Sequence, residues 1–135
     1  MILEDIRYKQ RFENFEKSFL LLQHALNISE PSIVEKAGII QFFEITFELS
    51  WKLMKDYLSY IGYDIKSPRE AIKTSFSIEI IIDGEIWLDA LSDRNLTVHT
   101  YDESQANEIY MKIERVYFKL LQELYAKFQD LVCMD

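Results

Sequence analysis

Residues 39–61 read IIQFFEITFELSWKLMKDYLSYI, and this stretch decides the fold. Two apolar stripes overlap in it at helical spacing, Ile39/Phe43/Phe47/Trp51/Met54/Leu58/Ile61 and Phe42/Ile45/Leu49/Leu53/Tyr57. What stays polar is a narrow line through Gln41, Glu44, Glu48, Lys52 and Lys55, with Glu48 and Lys52 at the favourable i,i+4 spacing. The pattern predicts a helix buried over most of its circumference. Gly62 follows its last apolar residue, where a left-handed C-cap is expected.

Working outward, Phe12, Phe15, Phe19, Leu22 and Leu26 recur every three or four residues and predict a first helix over Leu3 to Asn27. Pro31 then interrupts and suits a first helical turn, so the second helix is expected to start there. On the C-terminal side, Ser67-Pro68-Arg69-Glu70 has the residue types of a capping box with proline at the first position, which predicts a short helix from Ser67. Ile78 to Ile82 is the one stretch with strand character, but a lone strand has no partner and an isolated pair is marginal. These isoleucines are therefore expected to plug the end of a bundle.

Asp83 is placed to cap a fourth helix carrying Ile86, Trp87, Ala90 and Leu91. Asp102 with Gln105 makes another capping pattern ahead of a last helix, where Ile109, Ile113, Val116, Leu120, Leu124, Phe128 and Leu131 recur at helical spacing. Four main helices with short connections predict an all-α fold, an antiparallel up-and-down four-helix bundle with one short extra helix, as a single domain over 1–135.

Composition agrees. A chain of 135 residues with 49% hydrophobic and 28% charged residues can bury a core, and 3 Gly and 2 Pro leave little for the tight turns of a β-sandwich or barrel. The 23 acidic against 15 basic side chains give a net charge of -8, which argues against non-specific binding to nucleic acid or anionic membrane as the main role. A single cysteine, Cys133, makes neither an internal disulfide nor a multi-thiolate zinc site. The opening Met-Ile-Leu-Glu-Asp-Ile-Arg has no signal-peptide character, and no long apolar run suggests a membrane span, so a cytoplasmic location is expected.

Few residues are candidates for chemistry. There is no Gly-rich phosphate loop, no His-x3-His or Cys-x2-Cys pair and no nucleophile elbow. Asp89 and Asp93 stand one turn apart, and with no His or further carboxylate at ligand spacing they read as solvated helix surface. His24, beside apolar neighbours, reads as structural. His99 stands apart, because Asp93-Arg94-Asn95-Leu96-Thr97-Val98-His99-Thr100-Tyr101-Asp102 gathers a permanent cation, an imidazole and a phenol where the fourth helix gives way to the last. Positions 94 and 99 would lie about 140° apart on a continuous helix, so they converge only if the chain turns between them. The residue types alone leave two readings open. One is a catalytic constellation; in the other, Arg94 pairs with Asp93 or a neighbouring carboxylate, His99 caps a helix C-terminus and Tyr101 packs at the bundle end.

The form Arg-polar-x3-His-x-Tyr resembles the signature of the HEPN superfamily, small helical bundles associated with nucleotide and RNA chemistry. The likeness extends to Gln41 through Lys52, to Ser67-Pro68-Arg69-Glu70-Ala71, to Asp83-Gly84-Glu85-Ile86-Trp87 and to Arg94 through Asp102. In order and spacing these blocks are similar to the nucleotidyltransferase substrate-binding protein family, over roughly residues 10 to 130. Phe42 before Phe43 departs from the small or polar residue more usual there, which concerns packing and not the site.

The resemblance implies a toxin of a two-component toxin–antitoxin module that cleaves RNA without metal at a homodimer interface. A separately encoded minimal nucleotidyltransferase would silence it by adenylylating the motif tyrosine, ATP and magnesium belonging to that partner and no cofactor to this chain. By position, the catalytic roles fall on Arg94 and His99, the AMP acceptor on Tyr101, and a supporting role on Asn95. The residue types suit such chemistry: an imidazole moves protons near neutral pH, a guanidinium faces developing phosphorane charge, and two copies supply both acid and base. The competing expectation is a non-catalytic subunit that presents substrate to the nucleotidyltransferase, which the net charge of -8 favours. A structural bundle without a site would leave the motif to coincidence.

Overall fold

The structure, a computed structural model, describes residues 3–96 and 102–134. It comprises α1 (Leu3–Ala25), α2 (Ile33–Tyr60), α3 (Pro68–Ser77), α4 (Gly84–Leu96), α5 (Glu103–Lys112), a π-helical turn (Ile113–Tyr117) and α6 (Phe118–Met134). The last three form one continuous rod, and no strand occurs among the described residues.

Local chemistry explains most boundaries. α2 begins two residues later than the proline suggested, at Ile33: Ser32 is the N-cap, its hydroxyl accepting from Glu35 N–H while the Glu35 carboxylate accepts from Ser32 N–H, so Pro31 stands outside the helix. At its far end Gly62 lies at φ 108°, with Tyr63 N–H donating to the Leu58 carbonyl and Gly62 N–H to Ser59, a Schellman closure that glycine adopts without strain. Ser67 caps α3 through Glu70 N–H, but the Glu70 carboxylate reaches past the cap to Lys66 N–H. Asp102 caps α5 by accepting from Ser104 N–H.

Side-chain pairs set the packing. Tyr8 meets Tyr57 and Tyr60, Arg11 bonds Asp56, and Ser18 bonds Thr46, so α1 and α2 run antiparallel. Lys36 bonds Asn107, Phe43 stacks on Tyr117 and Tyr57 meets Phe128 edge-on, so the last rod runs in the direction of α2. Phe12 and Phe19 stack on Tyr125 from α1. α3 packs on α2 and α4 on α3. Residues 78–82 form no strand; Ile80 and Ile81 are buried, as expected of isoleucines that plug the core, whereas Ile82 is exposed, against that expectation.

Two details differ from expectation. On α2, Ile45 is 42% exposed and Leu49 is only partly covered, so one flank of that helix remains open. On the last rod, Val116 is 39% exposed and Tyr117 takes its place inside at 5%. The π-turn causes the second difference, since one extra residue in a turn rotates everything after it relative to the stripe before it.

Candidate functional site

α4 carries its functional residues on two adjacent stripes. Trp87, Ala90 and Arg94, spaced i, i+3, i+7, face α2, where the Trp87 ring lies 5.7 Å from Phe47. Ile86, Asp89 and Asp93 occupy the neighbouring stripe and line a cleft of about 460 Å³ with Lys112 and Tyr117 of the last rod. Consecutive residues at the end of α4 are thus anchored to different helices.

Arg94 Nη2 lies 3.5 Å from Glu48 Oε2, with the two side chains 28% and 35% exposed. Of the carboxylates open to Arg94 in the sequence, Asp93 or a neighbour, it is one on α2 that it meets. Glu48 is held in place by Trp51, whose indole N–H donates to Oε2 at 3.1 Å, and by Lys52 at 3.5 Å, the i,i+4 pair legible in the sequence. Gln41, Glu44, Ile45, Glu48, Leu49 and Arg94 line a groove of about 320 Å³. An ion pair this exposed is worth about 0–1 kcal/mol, so a phosphate offered to the guanidinium competes with Glu48 at little cost.

Asp93 is not solvated surface. Its Oδ2 accepts hydrogen bonds from the Tyr117 hydroxyl and from Lys112 Nζ at 3.2 Å, and its side chain is 16% exposed. Burial, then the hydrogen bond and charge of Asp93 and the charge of Asp89, push the Tyr117 phenol well above its ordinary value, so it stays a neutral donor. Asp89 remains exposed. Sequence reasoning missed Tyr117 and Lys112 because it placed Val116 in the core stripe; the five-residue spacing that unites them appears only once the π-turn is known.

Asn95 is exposed beside Arg94. His99 and Tyr101 lie outside the described residues. His24 lies in the last turn of α1 and takes no part in this region. Among the described residues no three His, Cys, Asp or Glu side chains are placed to hold a metal ion, and no helix is long and apolar enough to cross a membrane.

The chain is 32% identical over 93 residues to a Haemophilus influenzae protein called probable ribonuclease HepT, a match spanning 63% of this chain and 64% of that relative's length. A crystal structure of a Thermus thermophilus protein superposes with a TM-score of 0.77 at 32% identity, covering 84% of this chain and 97% of the other. The model of the family described as nucleotidyltransferase substrate binding protein like matches residues 10–130, a span that includes α2, the α4 stripes and the segment from Arg94 to Tyr101. The chain belongs to the nucleotidyltransferase substrate binding protein like family.

Proposed function

We propose that this chain is a metal-independent endoribonuclease, the toxin of a toxin–antitoxin pair, working as one domain in the cytoplasm. The observation that carries this reading is the 32% identity to a protein called a probable ribonuclease. The position of Arg94 supports it: the guanidinium stands in the last turn of α4 in an open groove, its pair with Glu48 long and partly exposed. The reading takes the four main helices as an antiparallel up-and-down bundle, with α3 as the extra short helix.

In the proposed reaction the ribose 2'-hydroxyl attacks the adjacent phosphate. The O2'–P bond forms, the P–O5' bond breaks, and a 2',3'-cyclic phosphate and a 5'-hydroxyl result. One His99 imidazole accepts the 2'-hydroxyl proton, and the His99 imidazolium of a second copy delivers one to the departing O5'. Arg94 faces the phosphorane charge, worth about 10²–10³ in rate for a single well-placed group. Asn95, exposed on the same turn, orients the phosphate. The need for two imidazoles makes a symmetric homodimer part of the reading, and the open flank of α2 at Ile45 and Leu49 beside Arg94 is a surface that a second copy would cover.

The partner is a separately encoded minimal nucleotidyltransferase, which uses ATP and magnesium to place AMP on Tyr101. The added phosphodiester puts negative charge and bulk where RNA phosphate must bind. A second reading, a non-catalytic subunit presenting substrate to that partner, is favoured by the net charge of -8 and by the family's description.

The two readings part in one experiment. Wild type expressed without the nucleotidyltransferase should arrest growth and cleave RNA, whereas Arg94→Ala and His99→Ala should do neither. Wild-type protein that leaves RNA intact under those conditions would support the substrate-presenting subunit.

A further inference from the structure

We infer that Asp93, gripped by Tyr117 and Lys112 across the π-turn, is a positioning residue that fixes the direction in which Arg94 leaves α4. The inference rests on the ribonuclease reading for its kinetic consequence, but its geometry stands apart from it.

The π-turn is a functional device here. Phe118 N–H donates to the Ile113 carbonyl, an i→i+5 bond that stacks residues five apart along one side of the rod. Lys112 and Tyr117 are five apart, and both reach the same oxygen, Asp93 Oδ2. An ordinary α-helix would set residues five apart about 140° from one another, and both could not point at one carboxylate. Tyr117 is itself immobilised: its ring stacks 5.7 Å from Phe43 in the core, with the hydroxyl directed outward to Asp93.

The consequence falls on Arg94. Asp93 ties the last turn of α4 to the rod, while the next residue, about 100° around the helix, turns toward α2 and meets Glu48. The two attachments oppose one another across a single turn. With the Tyr117–Asp93 bond gone, the half-exposed Lys112 pair alone ties Asp93 to the rod, and the end of α4 shifts toward α2, carrying the guanidinium further into the Glu48, Trp51 and Lys52 cluster, away from an incoming phosphate. Misplacement of a reacting group by about 1 Å costs up to about 10² in rate.

The test uses full-length protein and single-turnover and steady-state cleavage of a short RNA, with Arg94→Ala as reference. Tyr117→Phe and Asp93→Ala should each lower kcat about tenfold or more with KM changed less than about threefold. Asp93→Asn, which keeps an acceptor oxygen for the phenol, should recover to within about threefold of wild type. Asp93→Ala removes the Lys112 contact as well as the Tyr117 bond, so the double variant Tyr117→Phe/Asp93→Ala should be no slower than Asp93→Ala alone. A Tyr117→Phe protein with a lower melting temperature but wild-type kcat at a temperature where it is folded would overturn the inference, leaving the bond as scaffolding. In 15N spectra the Arg94 Nε–H resonance, assigned by its loss in Arg94→Ala, should shift in Tyr117→Phe whether or not RNA is cut. An unmoved resonance in Tyr117→Phe overturns the positioning role, whereas a resonance moved in that variant, together with wild type that cuts no RNA, would sink the ribonuclease reading alone.

Discussion

Replacing Arg94 by alanine should separate activity from stability, and the structure bounds the contribution of its ion pair to the second. Its contact with Glu48 is 3.5 Å long between side chains 28% and 35% exposed, a geometry worth at most about 1 kcal/mol. For a domain of this length about 1 kcal/mol moves the melting temperature by about 3–4 °C, so loss of the Glu48 pair in Arg94→Ala should cost no more than about 4 °C. Its loss in RNA cleavage should be about a hundredfold or more, because the group acts on charge that exists only in the transition state. Phe47→Ala is the counterpart: the ring is 1% exposed, with Phe43 and Trp87 5.8 and 5.7 Å away, and its removal should cost about 3–5 kcal/mol. That is about 10–20 °C in melting temperature, while the fraction still folded keeps its cleavage activity. Thermal unfolding by circular dichroism and cleavage of labelled RNA, run on the same samples, provide both readings. An Arg94→Ala protein that cuts RNA as wild type does, or one destabilised as much as Phe47→Ala, would refute the assignment of Arg94 to the chemistry.

Other outcomes follow from the same geometry. Light scattering at micromolar concentration should show a homodimer or higher homo-oligomer, and Ile45→Asp in the open flank of α2 should weaken it; a strictly monomeric wild type would remove the two-imidazole mechanism. Incubation with ATP, magnesium and the partner nucleotidyltransferase should add one or more AMP masses to the peptide containing Tyr101, and Tyr101→Phe should stay active yet escape silencing; equal silencing of that variant would mean inhibition by occlusion. The raised Tyr117 phenol stabilises the fold fully below pH 10, the ordinary tyrosine value, and this contribution is lost as pH climbs from there toward the folded-state value. Urea unfolding should therefore show a loss of up to about 1.4 kcal/mol per pH unit from this group, absent in Tyr117→Phe; parallel curves for the two proteins would show that the phenol ionises as freely folded as unfolded.

Much of the fold was legible because its signals are local. The caps at Ser67 and Asp102 and the left-handed Gly62 each depend on a few neighbouring residues, and they fall where the sequence placed them. Ser32 carried the same kind of signal with Glu35, but Pro31 beside it is an equally good opening for a helix, and only the backbone decides between them. The π-turn was not legible. Val116 and Tyr117 fit the heptad spacing about equally well, and the choice is made by Phe43 and Asp93, 74 and 24 residues away from Tyr117 in the chain. The site divides in the same way. Arg94 was visible as part of a motif, but its partner Glu48 sits on another helix, and the reading of Asp93 as surface failed because the groups that cover it, Lys112 and Tyr117, come from the one place where helical periodicity breaks.

The most direct test of the central claim is the chemistry of the RNA ends. Wild-type chain purified without its partner and incubated with a short RNA in excess EDTA should yield fragments ending in 2',3'-cyclic phosphate and 5'-hydroxyl, with Arg94→Ala and His99→Ala yielding none. Intact RNA with wild type, or cleavage that persists unchanged in both variants, would contradict it.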